Sequence, residues 1–280
     1  MVWSGIRGTN GRLLAAAVGV VSVTAAVSAW TAAQAGPAGD RAAAATRPTA
    51  KPSATAAPPA RPRPIPGQTS VPDPQLPAPR VNMDIVHASD KGPRGVNITI
   101  DDGPDPTWTP QVLQVLKDNG VKATFCMVGT QAQAHPDLVK AVVAAGHRLC
   151  DHSVSHDTTM NTKSRTYQAK EILDAERMIT EASGGVAPLY YRAPGGAFTP
   201  YSRQLAASRG MRPLGWNVDS EDFKQPGTAA LVGTVKNEIA NGPTVLFHDA
   251  GGDRGQTVEA LRQVLPWLKQ QGYAFGFPVR

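Results

Sequence analysis

The chain has 280 residues, with 28 Lys or Arg against 22 Asp or Glu, and two cysteines. Its length suits one catalytic domain with accessory segments, and its basic pI near 9.5 would ordinarily raise the question of nucleic acid. The distribution of charge answers it. Residues 1–80 hold eight basic and two acidic residues, whereas 81–280 hold twenty of each, so the folded part has no basic excess and no nucleic-acid partner is expected.

In chain order, Arg7 and Arg12 precede an apolar run from Leu13 to Trp30 and the small-residue exit Ala33-Gln34-Ala35. Residues 1–35 therefore read as a secretory signal peptide cut after Ala35. The alternative is a retained membrane anchor, since the run is about long enough to span a bilayer. Either way, a secreted or cell-surface protein is expected. Residues 36–81 read as a disordered Pro/Ala-rich linker: twelve of the 25 prolines fall in 36–80, with almost no large apolar side chains to offset the entropy of ordering. A basic tether of this kind could lie against an anionic cell wall or membrane surface, although a solvated linker is the simpler reading.

From about residue 82 strands and helices alternate. Strands are predicted over 96–100, 123–128, 148–150, 189–192, 212–216, 244–247 and 273–277. Helices are predicted over 109–119, 136–145, 163–182, 201–208, 228–240 and 258–271. Seven strands separated by helices imply a parallel sheet, either an open doubly wound sheet or a barrel. The polar motifs all follow strand C-termini, which converge on one mouth only in a closed barrel. The expected fold is α/β, a distorted (β/α)7 TIM-like barrel forming a single domain over 82–280. Cys126 and Cys150 lie in predicted strands; a disulfide and two buried thiols both remain open.

The chemistry begins at Asp101 and Asp102, adjacent carboxylates at a strand end, which a fold tolerates best with a metal ion or an arginine between them. His152 and His156 stand four apart, a spacing that puts both imidazoles on one face of a helical turn. Asp102 with these two histidines is a ligand set that leaves a metal one free position for water, and zinc is favoured over magnesium, with cobalt or nickel as alternatives.

Five motifs occur in order: Thr99-Ile100-Asp101-Asp102-Gly103-Pro104, His152-Ser153-Val154-Ser155-His156, Arg192-Ala193-Pro194-Gly195-Gly196, Asp219-Ser220-Glu221-Asp222-Phe223 and Leu246-Phe247-His248. Together they resemble the polysaccharide deacetylase (NodB-like, carbohydrate esterase family 4) domain over roughly residues 92–280. The resemblance implies a metal-dependent hydrolase of acetylated carbohydrate amides, with Asp101 as general base and Arg192 holding it ionised. His248 is implied as general acid, kept charged by Asp219, with Asp222 as a second candidate. A backbone N–H at Gly195 would serve the oxyanion, and Leu246 would face the acetyl methyl. This chain departs from the family in carrying Gly195 where tyrosine is frequent and Phe223 where tryptophan is frequent. Trp108 and Trp216 are both candidate sugar-stacking faces, Trp108 the better one, with a core position as the alternative for Trp216; His87, His135 and His147 fit no constellation.

The implied substrate is a polymer containing N-acetylglucosamine, such as peptidoglycan or chitin, and a monomer is the expected state. An acetylxylan O-deacetylase would use the same base, metal and acid. A non-catalytic glycan-binding protein would be favoured by a missing ligand or base, and none is missing. A structural cell-wall protein built around the Pro-rich segment would not need the five motifs.

Overall fold

A computed structural model describes residues 75–280. The leader (1–35) and all of the linker up to residue 74 lie outside the described residues. The last linker residues already belong to the folded unit: Leu76 packs against the apolar cluster that includes Ile172 and Leu205, and the Arg80 N–H donates to Ala207 O at 2.9 Å. The folded chain therefore starts earlier than residue 82.

Eight parallel strands form one curled sheet: β1 (Gly95–Asp101), β2 (Thr124–Met127), β3 (Arg148–Asp151), β4 (Tyr190–Tyr191), β5 (Arg212–Pro213), β6 (Val218–Asp219), β7 (Thr244–His248) and β8 (Ala274–Gly276). Their order is β5-β4-β3-β2-β1-β7-β6, with β8 added beside the start of β1. This is the distorted barrel expected from the alternation, with two differences. The predicted strand 212–216 is only two residues long, and a further strand, β6, follows it. Among the described residues no ladder joins β5 to β6. The chain before β1 occupies that side instead: the Val86 N–H donates to Pro213 O, the Gly215 N–H to Val86 O, and the Thr244 hydroxyl to His87 O. A wedge of backbone fills the opening that strand–strand pairing would otherwise close.

Among the described residues, seven α-helices flank the sheet: α1 (Thr109–Asp118), α2 (Gly129–Ala134), α3 (Pro136–Ala144), α4 (Arg165–Ala182), α5 (Pro200–Ser208), α6 (Thr228–Glu238) and α7 (Gly255–Gln270). Their starts are chemically marked. Asp105 Oδ1 accepts the N–H groups of Thr107 and Trp108 ahead of α1, Ser164 caps α4, and Thr199 with Ser202 forms a capping box on α5. Short α2 was not predicted, having no apolar periodicity to show.

β1 is buried along its whole length, and its two faces differ. Val96, Ile98 and Ile100 join the large apolar core with α1 and α7, while Asn97, Thr99 and Asp101 point the other way. That second face carries polar side chains into the curl. Cys126 and Cys150 are direct partners across β2 and β3 and form a disulfide, which settles the pairing that spacing left open.

Candidate active site

The sheet register brings the motifs together. Asp101 ends β1 and pairs with His248, the last residue of β7; Asp151 ends β3 immediately before His152, and Tyr191 ends β4 immediately before Arg192. Gly103 permits the turn after β1, because a Cβ there would lie 2.2 Å from the Asp249 carboxylate.

Asp101 and Arg192 are both buried, and Arg192 Nη1 donates to Asp101 Oδ1 at 2.6 Å. The guanidinium donates also to the Thr99 hydroxyl and to the carbonyls of Leu214 and Gly215. Buried charges survive in such a setting only when paired and hydrogen-bonded. Burial pushes the Asp101 carboxyl up, against the opposing pull of Arg192, His248 and His156. Its second oxygen, Oδ2, faces His152 Nε2 at 3.5 Å.

Asp102 Oδ1 lies 3.5 Å from His152 Nε2 and 3.2 Å from His156 Nε2. One ligand atom from each of these residues falls within 4.8 Å of the others. Two observations fit this set to a divalent metal. Asp102 Oδ1 is buried with no hydrogen-bond partner, an unmet acceptor aimed at two imidazoles. Burial draws the His152 pKa down to about 3, so the ring is neutral, as a ligand must be. The ring is fixed from behind, since His152 Nδ1 lies 2.8 Å from Arg192 O; a carbonyl accepts only, so Nδ1 carries the proton and Nε2 faces the site.

The two histidines do not share a helical turn. Residues 152–156 form a loop, and Ser153 (φ 66°) and His156 (φ 58°) are left-handed, as is Asp102 (φ 78°). Three non-glycine residues with positive φ thus gather at one point, where backbone strain commonly marks function.

The acid side corrects one assignment. Asp222, not Asp219, partners His248: its Oδ1 lies 2.6 Å from His248 Nδ1, and its Oδ2 accepts the His248 N–H and the Thr257 hydroxyl, both at 2.8 Å. Asp219 lines the cavity but turns Oδ1 back to the Glu221 N–H. Left-handed Glu221 (φ 58°) reverses the chain between the two aspartates and places the later one under the imidazole. Burial alone would lower the His248 pKa; the hydrogen bond and charge of Asp222, with Asp101 and Asp102 beyond, outweigh it and lift the pKa to about 9. Buried Arg254, absent from the sequence reading, donates from Nη1 to Asp222 O and lines the same cavity.

These residues surround an open cavity of about 530 Å³. Leu246 lies on its wall, and Gly195 sits at its edge with φ 58°, where a Cβ would come within 3.5 Å of Thr158. Phe223 is half exposed and meets the His248 ring edge-on at 5.9 Å. The aromatic assignment is reversed: Trp216 lines the cavity, whereas Trp108 packs against the main core and away from it. The Asp105 turn that caps α1 directs Trp108 inward.

The polysaccharide deacetylase family model matches residues 88–214. A Bacillus cereus protein, peptidoglycan-N-acetylglucosamine deacetylase, is 38% identical over 182 residues, covering 64% of this chain and 84% of its own. This chain belongs to the polysaccharide deacetylase family. A chitooligosaccharide deacetylase of Bradyrhizobium is 34% identical over 193 residues, covering 65% of this chain and 88% of its own. Among solved structures, a peptidoglycan N-acetylglucosamine deacetylase in complex with an N-hydroxybenzamide superposes with a TM-score of 0.64 at 29% identity, covering 68% of this chain and 89% of that one. As a family member, the chain is a hydrolase of amide bonds in acetylated glycans. The family is metal-dependent, and Asp102, His152 and His156 are the donor set that fits the ion.

Proposed function

We propose that this deacetylase is an extracytoplasmic N-deacetylase of polymers containing N-acetylglucosamine, of peptidoglycan or chitin type. The single observation that carries the reading is the pairing of two carboxylates with two different cations in one cavity: Asp101 with Arg192, and Asp222 with His248. One supplies a fixed base and the other a charged acid. The names of the relatives support the sugar. The leader motif and the disulfide support an oxidising location outside the cytoplasm.

A divalent ion held by Asp102, His152 and His156 would supply Lewis-acid polarisation of the acyl oxygen and a more acidic water. Two imidazoles and one carboxylate suit zinc, cobalt or nickel. Asp101 takes the proton of the attacking water through Oδ2, the oxygen that Arg192 leaves free; burial raises its basicity while Arg192 fixes its direction. Gly195 lines the same cavity, which supports its backbone N–H as the oxyanion donor. His248, protonated through Asp222, gives its proton to the departing amine, which is too basic to leave as an anion. Leu246 offers the acetyl methyl an apolar wall. Trp216 and Phe223 offer sugar faces on which rings can stack, and glycine at 195 leaves that edge of the cavity without a side-chain wall.

The test is acetate release by the full-length protein from chitooligosaccharides, peptidoglycan and acetylxylan, after chelation and with zinc or cobalt restored. Release from the first two that chelation stops and metal restores is expected. Release from acetylxylan alone would make the chain an O-deacetylase, and no release from any of the three with metal present would overturn the catalytic reading.

A further inference from the structure

We propose that Glu171, on the inward face of α4, is a positioning residue for the metal centre, holding the loop that presents His156 and so setting metal affinity. The inference rests on the reading that Asp102, His152 and His156 hold the metal.

The two imidazoles are held very differently. His152 is buried and its ring is anchored at the Arg192 carbonyl. The His156 side chain is 36% exposed, and its ring faces Asp102 Oδ1 at 3.2 Å and the His152 ring, with no carbonyl anchor like that of His152 among the described hydrogen bonds. The position of His156 is therefore set by its backbone, and that backbone is left-handed at both Ser153 and His156. A loop of this shape persists only where its surroundings over-determine it.

The surroundings are identifiable. Inside the loop, Ser153 Oγ accepts the His156 N–H at 3.0 Å, and Asp151 Oδ1 accepts the Ser153 N–H at 2.8 Å. On one side, the first amides of α2 donate to loop carbonyls, Gly129 N–H to Ser153 O and Thr130 N–H to Val154 O. Two loop N–H groups and one hydroxyl remain. All three converge on a single oxygen, Glu171 Oε2: the Val154 N–H at 3.1 Å, the Ser155 N–H at 2.9 Å and the Ser155 Oγ at 3.0 Å.

Glu171 is buried to 7% exposure on the face of α4 that also buries Gln168, Ile172 and Ala175. A carboxylate is rarely placed so deep unless it is paired. Among the described residues, no ion pair involves Glu171. The three hydrogen bonds it accepts from the ligand loop all fall on Oε2. Removing it leaves two amides and a hydroxyl without their acceptor and relaxes the loop that carries the least-anchored ligand.

The experiment measures zinc affinity of the full-length protein by competition with a chromophoric chelator, for the wild type, Glu171→Ala, Glu171→Gln and Asp102→Ala. Each metal-free protein is also melted, and kcat and KM are recorded at saturating zinc. Zinc binding should weaken about 10- to 100-fold in Glu171→Ala, the range seen when groups behind metal ligands are lost. Glu171→Gln, which keeps one acceptor oxygen, should fall between it and the wild type, and kcat at saturating zinc should return to within a few-fold. If Glu171→Ala does not fold, the intermediate affinity of Glu171→Gln carries the test. Wild-type affinity in both Glu171 variants, with affinity lost in Asp102→Ala, would overturn the role of Glu171 and leave the metal site standing. A wild type that binds zinc no better than Asp102→Ala would overturn both.

Discussion

His152 and His248 both line one cavity, each facing carboxylates, yet one ring is neutral and the other charged. On the β3 side, burial dominates. Asp102 attracts a proton to His152 but does not hydrogen-bond the ring, and the imidazole stays neutral with a pKa drawn to about 3. On the β7 side, Asp222 touches the ring nitrogen at 2.6 Å, and that contact reverses the effect of burial and lifts the pKa to about 9. The same side chain is a ligand in one place and an acid in the other. The deciding difference is one short hydrogen bond to a carboxylate, set against a bond from the far nitrogen to a carbonyl.

Each side can be broken separately. The largest effect should come from the ligand side. Asp102→Ala removes the orphaned acceptor between the two imidazoles, and acetate release should fall on the order of 10⁴-fold without recovery in excess zinc, the equivalent of several kcal/mol of lost metal assistance. His248→Ala should cost about 10²- to 10³-fold on N-acetyl substrates, within the usual range for a lost general acid. An ester alkoxide needs less protonation, so the same variant should lose much less on acetylated xylan. Equal losses on the two substrates would remove the acid role.

Asp222→Asn sharpens the comparison with a smaller change. A raised histidine pKa means that the charged, active form persists as pH rises and is lost through about pH 9. Removing the carboxylate should pull the alkaline limb of the rate profile down toward the ordinary histidine value near 6.5, with about a thirtyfold loss at pH 8. Asp219→Asn, which leaves the imidazole contact intact, should not move that limb. The smallest effect concerns a third histidine, far from the chemistry. His147 accepts the Ala123 N–H on Nδ1 at 3.0 Å, and burial, helped by Lys122, holds its pKa at about 4. Between pH 6.5 and 4 the unfolded chain binds a proton that the folded chain refuses, so stability is full above that window and declines as pH falls through it. His147→Asn, whose side-chain oxygen can take the same N–H, should flatten the slope of thermal midpoint against pH in this range.

Much of this site was legible in the sequence because it depends on strand ends. A parallel sheet fixes which residues stand at its C-terminal edge, so Asp101, Asp102, His152, Arg192 and His248 could be gathered before any coordinates. What the pattern could not give was decided inside loops. The resemblance puts Asp219 ahead of Asp222, and the left-handed turn at Glu221 reverses that order. The i, i+4 spacing of His152 and His156 suggested a helix, but it belongs to a strained loop held by distant groups. Trp108 follows the Gly-Pro turn and is the better stacking candidate on sequence, yet it packs against the main core, and Trp216 takes the cavity wall. Strands of two residues, such as β6, are too short to show any periodicity. Glu171 did leave a signal: a charged residue on an otherwise inward-facing stripe of a long amphipathic helix.

The division between a neutral ligand and a charged acid can be observed directly. Nitrogen-15 spectra of the full-length, histidine-labelled protein at pH 7.5, assigned with His152→Asn and His248→Asn variants, report the protonation of each ring nitrogen. The account predicts both nitrogens of His248 protonated and His152 neutral with its proton on Nδ1. A neutral His248, or a His152 carrying two protons, would contradict it.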